Sequence, residues 1–290
     1  MIHINSLIEH VEREIINHLK ENRVNETILE ASMYSIKAGG KKFRPLLLFK
    51  TLQALDIDTH LGIIPAASLE MIHTYSLIHD DLPAMDDDTL RRGQPTNHIV
   101  FGEATAILAG DNLLTESFNL LTKAQLSAVQ IASLVKLYSY SAGQSGMIGG
   151  QMLDIEASDK PINRQQLEEI HRHKTGKLII AAVKAATIIA VTEKEITDKL
   201  LEFSEKLGLL FQVTDDILDV TGTTEELGKQ VGSDEKNNKT TYVSLFGLEG
   251  ARDIEKNLIL DINDILESLK EDVKVEELKQ VLELIVNRTK

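Results

Sequence analysis

Cysteine and tryptophan are both absent from this sequence of 290 residues, and aromatic residues make up only 4% of it. Without cysteine the chain can form no disulfide, no thiolate metal site and no iron–sulfur cluster, and it has no cysteine nucleophile. Proline and glycine are also scarce, with 5 and 17 residues. Because 42% of the residues are hydrophobic, a folded globular chain is expected and extended disorder is excluded.

Positive charge is in deficit, since 31 basic residues face 45 acidic ones and the net charge is −14. Such a surface is unfavourable for non-specific binding to nucleic acid, so no nucleic-acid partner is expected. The first ten residues have neither a basic region nor a long apolar run, unlike a signal peptide. The most apolar stretch, residues 178–191, is interrupted by Lys184 and is too short to span a bilayer. These features predict a cytoplasmic protein without a membrane span.

Apolar residues recur at intervals of three and four almost everywhere, which is the pattern of one helical face. The first stripe consists of Leu7, Ile8, Val11, Ile15 and Leu19. No segment alternates apolar and polar residues as a half-buried strand does. We predict an all-α fold, a large bundle of roughly ten helices. The other stripes cover residues 27–38, 45–55, 62–82, 104–123, 128–145, 164–190, 194–220, 250–269 and 275–287.

The predicted helices 62–82 and 194–220 are apolar on more than one face and therefore belong at the centre of the bundle. No linker rich in proline, glycine or serine divides the chain, so residues 1–290 are predicted to form a single domain. Residues 221–241 are polar and have no apolar stripe. A segment of this kind is typical of a mobile loop that closes over a site as a lid.

Each of the two central helices ends in a cluster of aspartates, Asp80-Asp81-Leu82-Pro83-Ala84-Met85-Asp86-Asp87-Asp88 and Asp215-Asp216-Ile217-Leu218-Asp219. Asp215 and Asp219 are about 40° apart on an ideal helix, so they share a face. Asp80 and Asp86 would be about 240° apart, but Pro83 interrupts the helix and lets Asp86 fold back toward Asp80. One acidic run at a helix end is usually a solvated cap. Two such runs after apolar helices, without cysteine, favour Mg²⁺.

Basic residues lie at breaks between the predicted helices, where free backbone N–H groups and cationic side chains bind phosphate. A diphosphate carries a charge of about −3 near neutral pH, so two of them could be balanced by about three Mg²⁺. The basic segments are Gly39-Gly40-Lys41-Lys42-Phe43-Arg44-Pro45, Arg91-Arg92-Gly93 and Lys174-Thr175-Gly176, with Lys229 and Lys239 in the predicted lid.

Six segments of the chain occur in the order seen in the trans-polyprenyl diphosphate synthases, namely GGKKFRP, IHTYSLIHDDLPAMDDDTLRRG, GGQMLDIE, KTG, FQVTDDILD and LGKQVGSDEKNNKTTY. The spacing in DDLPAMD resembles the bacterial farnesyl diphosphate synthases in particular. The resemblance covers essentially the whole chain and implies the isoprenoid synthase fold, in which helices surround a central cavity, and a homodimer. It also implies a Mg²⁺-dependent, head-to-tail condensation of isopentenyl diphosphate with dimethylallyl or geranyl diphosphate, giving farnesyl diphosphate and diphosphate. Mn²⁺ could replace Mg²⁺.

The same resemblance implies roles for individual residues. Asp80, Asp86 and Asp215 would bind the metal ions, supported by Asp81, Asp216 and Asp219. Arg91, Lys174 and Lys229 would hold the allylic diphosphate, while Lys41, Arg44, His73 and Arg92 would bind isopentenyl diphosphate. Thr175 and Gln212 would lie beside the cationic carbon, and Lys239 would help to close the lid. Lys42 and Phe43 occupy variable places in the family pattern and receive no role.

The resemblance also implies that the length of the product is set at Tyr75 and Ser76, which lie five and four residues before Asp80. In the family a bulky aromatic at the position of Tyr75 stops growth at fifteen carbons. Ideal-helix geometry places Ser76 nearer the face of Asp80 and Tyr75 about 140° away. Helix geometry alone therefore leaves the role of Tyr75 open.

Alternative functions remain at this point. A geranylgeranyl diphosphate synthase would use the same mechanism. The pair His79-Asp80 resembles the dyad of all-α metal phosphohydrolases, and a non-catalytic prenyltransferase subunit would have a similar fold. A terpene cyclase would need more aromatic residues to guide its carbocation. The sequence assigns no role to Gln151, Asp154, Arg288 or Lys290, and it determines neither the preferred starter nor the oligomeric state.

Overall fold

The structure, a computed structural model, describes residues 2–158, 160–222 and 239–287. Lys229, Arg288, Lys290 and most of the predicted lid lie outside the described residues. The described residues form thirteen α-helices. They are α1 Ile2–Glu21, α2 Glu26–Lys37, α3 Phe43–Ala54, α4 Ile63–Asp80, α5 Asn97–Phe101, α6 Glu103–Leu121, α7 Ala128–Ala142, α8 Met147–Ala157, α9 Arg164–His171, α10 Lys177–Ala190, α11 Lys194–Thr221, α12 Tyr242–Leu269 and α13 Val275–Val286.

The chain divides into two compact units, and the first comprises residues 1–49 and 58–135. Its central element is α4, which packs mainly against α6 and also against α1. Residues on every side of α4 are buried, including Ala66, Leu69, Met71 and Ile72. The prediction of a central helix at 62–82 is therefore confirmed, and the helix ends at the first acidic cluster.

The second unit comprises residues 50–57 and 136–290. In this unit α11 packs against α12 and α10, and α8 packs against the turn at Arg172–Gly176. The small residue Gly208 of α11 lets the helix approach Gly176, since a Cβ there would lie 3.3 Å from the Cα of Gly176. A capping box stabilises the start of α12. The side chains of Thr241 and Ser244 each accept a hydrogen bond from the backbone N–H of the other residue.

The all-α prediction is confirmed, but several local elements differ from the periodicity. The helices α5 and α8 were missed, the latter because Gly149 and Gly150 lower its intrinsic helix propensity. Within the apolar stripe over residues 164–190, a π-helical turn at Arg172–Gly176 separates α9 from α10, where the segment Lys174-Thr175-Gly176 predicted a break. Two short strands, β1 Leu90–Arg91 and β2 Gln94–Pro95, also form an antiparallel hairpin where none was predicted.

Among the described residues, one helical segment is long and apolar enough to cross a membrane by length and composition, Thr59–Asp80. Within its most apolar window, 72% is buried inside the protein. The segment contains α4, so its apolar surface is covered by protein partners such as α6.

Candidate active site

The first acidic cluster begins where α4 ends, and its backbone folds back on itself. The N–H of Asp86 donates a hydrogen bond to the carbonyl of Asp80 at 2.9 Å, and the N–H of Asp87 donates to Leu82 at 3.2 Å. Pro83 lies within this turn and offers no N–H of its own. The predicted return of Asp86 toward Asp80 is therefore confirmed at the level of the backbone.

Asp81 turns into the protein and is held by Arg91. The Nε of Arg91 lies 2.6 Å from Oδ1 of Asp81 and its Nη2 lies 3.4 Å from Asp88. Burial raises the pKa of Asp81 to about 6, although Arg91 opposes this effect. The carboxylate of Asp81 thus positions Arg91, one of the cations predicted to bind diphosphate.

Arg92 is placed by the tight turn that joins β1 to β2. Arg92 and Gly93 have φ values of 54° and 75°, the positive values at both central positions that a type I′ hairpin turn requires. The guanidinium of Arg92 donates to the carbonyl of Gly39. A Cβ at Gly40, whose φ is +103°, would overlap that guanidinium. The absence of a side chain at Gly40 therefore allows Arg92 to approach the segment before α3.

Three of the residues predicted to bind isopentenyl diphosphate lie within electrostatic reach of one another in the first unit. Burial lowers the pKa of Arg44 to about 10, with Glu70 opposing and Arg92 adding to the shift. Burial lowers the pKa of His73 well below its usual value, and Arg44, Arg92 and Lys42 lower it further. His73 is consequently neutral at pH 7 and can bind an anion only as a hydrogen-bond donor. Lys41 is exposed.

Glu70 and Lys42 form a buried ion pair that the sequence analysis missed. The ammonium of Lys42 lies 3.1 Å from Oε1 of Glu70, and the two side chains are 6% and 1% exposed. Lys42 also donates to the carbonyl of Ile36 at 3.1 Å. Glu70 is the one acidic residue in the apolar run from Ile63 to His79, and a buried carboxylate needs a cation. That isolated charge was the signal that could have revealed the pair.

Tyr75 and Ser76 have different environments on α4. Tyr75 is 5% exposed, and its hydroxyl has no hydrogen-bond partner among the described residues. Its ring contacts that of His79 edge to face, with centroids 5.7 Å apart. Ser76 donates to the carbonyl of His73 at 2.8 Å. Tyr75 is therefore the bulkier and the more buried of the two residues.

His79 is held by α6. Its Nε2 lies 3.0 Å from the carbonyl of Ile107, and a Cβ at Gly110 would overlap the imidazole. Nε2 must carry the proton that this carbonyl accepts, so this nitrogen cannot bind a metal beside Asp80. A phosphohydrolase-like pair His79-Asp80 would have to bind its metal through Nδ1 instead.

In the second unit, Asp154 lies beside Lys174, which was predicted to hold the allylic diphosphate, and Lys239, which was predicted to help close the lid. Its Oδ2 lies 2.6 Å from Nζ of Lys174 and 3.7 Å from Nζ of Lys239. Burial alone would raise the pKa of Asp154, but the two lysines lower it overall. Lys174 and Thr175 belong to the π-helical turn, an irregularity that often marks functional sites. The sequence assigned no role to Asp154. In the structure its carboxylate forms ion pairs with both lysines.

Close packing of α8 places Asp154 beside this turn. A Cβ at Gly150 would overlap the backbone nitrogen of Lys174, so only glycine permits the approach. In the segment GGQMLDIE, Gly150 therefore allows α8 to contact the π-helical turn. Asp154, one helical turn later, forms an ion pair with Lys174 of that turn.

The second acidic cluster lies in the last turns of α11. The side chain of Asp216 accepts a hydrogen bond from the backbone N–H of Tyr242 at 2.7 Å, so it anchors the first turn of α12. Asp216 and Asp219 are 5% and 3% exposed, whereas Asp215 is only partly buried. Gln212, one turn before Asp215, is also partly buried.

Burial separates the six predicted metal-binding aspartates into two groups. The supporting members of the motifs are buried, and the members predicted to contact metal directly are partly accessible. The buried group is Asp81, Asp216 and Asp219, and the accessible group is Asp80, Asp86 and Asp215. In the described part of the chain no three acidic or histidine side chains converge as a ready metal site. Mg²⁺ is commonly held by one or two carboxylates together with substrate phosphates, so these residues fit that ion.

His171 lies beside Lys174 and Asp154, and its imidazole is largely enclosed by the protein. Its ring contacts that of Tyr242 with centroids 5.7 Å apart, and its Nδ1 has no hydrogen-bond partner among the described residues. Burial lowers the pKa of His171 to about 4, with Asp154 opposing and Lys174 adding to the shift. The imidazole is therefore neutral in the folded protein at pH 7.

This burial predicts a pH dependence of stability. The unfolded histidine gains a proton as the pH falls below about 6.5, while the folded one stays neutral until about pH 4, so acid stabilises the unfolded chain. Between pH 7 and pH 5 we expect His171 to remove about 2 kcal/mol of the free energy of unfolding. His171→Gln should lose that part of the pH dependence in urea denaturation at the two pH values, and His173→Gln should retain it. Equal pH dependence in wild type and His171→Gln would contradict the expectation.

The chain is similar over most of its length to enzymes that synthesise prenyl diphosphates. A model of the polyprenyl synthetase family matches residues 25–285. The sequence is 45% identical over 284 residues to the farnesyl diphosphate synthase of Micrococcus luteus, covering 96% of this chain and 97% of that protein. It is 43% identical over 265 residues to geranylgeranyl pyrophosphate synthase 4 of Arabidopsis thaliana, covering 90% and 71%.

A solved structure has the same fold. The crystal structure of a geranyltransferase from Helicobacter pylori, complexed with magnesium and isoprenyl diphosphate, superposes with a TM-score of 0.86 and 36% sequence identity. The match covers 98% of this chain and 97% of that chain. The similarity thus extends over nearly the full length of both proteins.

Proposed function

The chain belongs to the polyprenyl synthetase family, and from that membership we propose that it is a Mg²⁺-dependent prenyltransferase that makes farnesyl diphosphate. It condenses isopentenyl diphosphate head to tail with dimethylallyl or geranyl diphosphate and releases diphosphate. The observation that carries this proposal is the sorting of the motif aspartates by burial: the three that would contact metal are partly exposed, and the three that would support them are buried.

The residues of the chain have separate tasks in this reaction. When bound, Mg²⁺ supplies positive charge that stabilises the leaving diphosphate. We assign Asp80, Asp86 and Asp215 to hold the metal, about three ions per site by the charge of the substrates. Mn²⁺ is proposed as a substitute because it accepts the same oxygen ligands.

Cationic side chains bind the substrates. Arg91, which pairs with Asp81, and Lys174, which pairs with Asp154, are assigned to the allylic diphosphate. Lys239, also beside Asp154, is assigned to closing the lid. Lys229 is assigned to the allylic diphosphate from the family pattern. Fixed cations of this kind stabilise the charge that develops as the allylic C–O bond breaks.

The carbocation is stabilised without being trapped. Thr175 and Gln212 offer a hydroxyl and a carboxamide dipole, which stabilise positive charge but are weak nucleophiles. Because no basic side chain has been assigned to remove the final proton, the departing diphosphate is the proposed acceptor. The whole of residues 1–290 is treated as one functional domain in this proposal.

A product of fifteen carbons is favoured over one of twenty. The relatives include both a farnesyl and a geranylgeranyl synthase at similar identity, so identity does not separate the two. The bulk of Tyr75, buried on α4 five residues before Asp80, supports the shorter product.

The experiment that tests the reaction is an incubation of purified protein with Mg²⁺, isopentenyl diphosphate and each allylic starter, followed by mass spectrometry of the products. Farnesyl diphosphate should dominate. Geranylgeranyl diphosphate would preserve the reaction and overturn the assigned product. Consumption of diphosphate substrates without condensation would overturn the reaction itself.

A homodimer is part of the proposal. Four large apolar residues on the consecutive helices α5 and α6 are exposed, Ile99, Val100, Ile107 and Leu108, and clustered exposed apolar surface marks an interaction site. Light scattering should give a mass of about twice the 32.2 kDa of one chain. Replacing Ile107 and Leu108 by glutamate should yield monomers, whereas Val24→Glu, at another exposed apolar position, should not. A monomeric wild type would contradict the proposal.

A cytoplasmic location is also proposed. It is supported by the burial of the one described segment that is apolar enough to cross a membrane. Immunodetection of the protein after separating cytoplasm from membranes tests it, and recovery with the membranes would overturn it.

A further inference from the structure

Asp154 of α8 forms two ion pairs but has no task in the reaction described above. Its Oδ2 accepts a hydrogen bond from the ammonium of Lys174 at 2.6 Å and lies 3.7 Å from the ammonium of Lys239. The side chain of Asp154 is 20% exposed and that of each lysine 24%. Two cations that share one carboxylate oxygen lie close together, and away from water they repel strongly unless that oxygen offsets the repulsion.

Packing of the backbone brings Asp154 to Lys174. Gly150 lets α8 lie against the π-helical turn, because a Cβ there would overlap the backbone nitrogen of Lys174. Asp154 follows Gly150 by four residues, so the two lie on the same face of α8. The contact between the two backbones thus fixes the aspartate, and the ion pair has only the flexible lysine side chain left to orient.

Lys239 is connected to the second acidic cluster through a short stretch of backbone. It lies three residues before Tyr242, whose N–H donates a hydrogen bond to Oδ2 of Asp216 at 2.7 Å. Residues 239–242 are therefore held at one end by the carboxylate of Asp154 and at the other by that of Asp216. Asp154 is in this way a charged link between the π-helical turn and the segment that enters α12.

We propose that Asp154 is a positioning residue for the allylic diphosphate, which fixes the ammonium group of Lys174 and keeps that of Lys239 beside it before the substrate binds. The inference rests on the proposed function. Two positive charges and one negative charge leave an excess of +1, so the assembled group still attracts an anion. A lysine side chain has a flexible stem of four carbons, and an arrangement prepared in advance spares the substrate the cost of ordering it.

Removal of the carboxylate charge has two effects of opposite sign, and this makes the inference testable. If Lys174 stayed in place, Asp154→Asn would make the site more positive and strengthen binding of a diphosphate. If Asp154 positions Lys174, the same change weakens binding, because the ammonium groups move apart. The direction of the change in KM for geranyl diphosphate therefore separates positioning from simple charge.

Asp154→Asn should raise KM for geranyl diphosphate about tenfold and leave KM for isopentenyl diphosphate within about twofold, because Lys174 is assigned to only one of the two substrates. Calorimetry of geranyl diphosphate with Mg²⁺, without isopentenyl diphosphate to react with, should show the same loss of affinity. Asp154→Glu restores the charge and should recover part of the affinity. Asp261→Asn, which breaks another 2.6 Å pair with a lysine, Lys206, should change neither KM. An unchanged or lower KM for geranyl diphosphate in Asp154→Asn would overturn the proposal.

A charge-balanced variant guards against a loss of folding. Asp154→Asn combined with Lys239→Met removes one charge of each sign, and thermal unfolding should show that the protein is folded. Its KM for geranyl diphosphate should be several-fold higher than that of Lys239→Met alone, because Lys174 loses its partner only in the double variant. Equal values would mean that Asp154 serves only to neutralise Lys239, which would overturn the proposal.

Cleavage by trypsin after Lys239 tests the pairing without any catalysis. Proteolysis requires local opening of the chain, so Asp154→Asn should speed this cleavage several-fold, as measured by mass spectrometry of the peptide that begins at Thr240. Asp261→Asn should leave the rate as in wild type. An unchanged rate in Asp154→Asn would overturn the proposal. A wild type that condenses no substrate would instead overturn the proposed function.

Discussion

Replacing Asp80 by asparagine should lower kcat by about a thousandfold. Asp80 is the last residue of α4, and the N–H of Asp86 donates a hydrogen bond to the carbonyl of Asp80. The backbones of the two aspartates are therefore in direct contact. Asparagine keeps the size of the side chain but removes the negative charge that attracts Mg²⁺. Loss of one group that stabilises the charge of a transition state typically costs about 10² to 10³ in kcat. The steady-state rate with saturating substrates measures the effect.

A binding measurement makes the result specific to metal. Diphosphate with Mg²⁺ should raise the unfolding temperature of wild type, and the rise should be lost in Asp80→Asn. Asp58→Asn is the matched control, because Asp58 is exposed and caps a 3₁₀ turn by accepting from His60, which asparagine can also do. A folded Asp80→Asn protein with undiminished kcat would remove Asp80 from the metal site.

Tyr75→Ala should shift the main product from fifteen to twenty carbons. The ring is buried, and its hydroxyl has no hydrogen-bond partner among the described residues. Burial, with a smaller effect of Asp80, raises the pKa of Tyr75 to about 12, so the phenol stays neutral. Removing it opens apolar space without exposing a buried charge. A longer prenyl chain can fill that space, and mass spectrometry of the diphosphate products measures the shift.

Tyr75→Phe is the control for this prediction, because it retains the ring and should retain the fifteen-carbon product. Truncation of a buried aromatic costs about 3 to 5 kcal/mol of stability, so thermal unfolding should accompany the assay. A folded and active Tyr75→Ala enzyme that still stops at fifteen carbons would show that another residue limits the chain.

The local sequence pattern was sufficient to predict the class of fold and the presence of carboxylate sites. The three- and four-residue periodicity predicted the central helices, because it depends only on which face of each helix is apolar. The residues of DDLPAMD and DDILD identified carboxylate sites, and the break at Pro83 predicted the return of Asp86 because a proline restricts the backbone wherever it occurs. The family assignment rested on the same motifs and is confirmed over residues 25–285.

Periodicity failed where distant parts of the chain determine local structure. The helix α8 was missed because its two glycines argue against a helix. Gly150 nevertheless allows α8 to contact the π-helical turn, and that turn has a π-helical form that the apolar stripe over residues 164–190 did not predict. Packing against a neighbouring element outweighed intrinsic propensity in both places.

By itself, the sequence determined an all-α fold, the acidic and basic motifs and the family, since each depends on residue types at short spacing. Only the tertiary structure decided which motif residues remain accessible and which are partners of others. It paired Lys42 with Glu70 across 28 positions and Lys174 with Asp154 across 20. Those pairings follow from burial, because a charge removed from water must find its counter-charge in whatever element packs beside it.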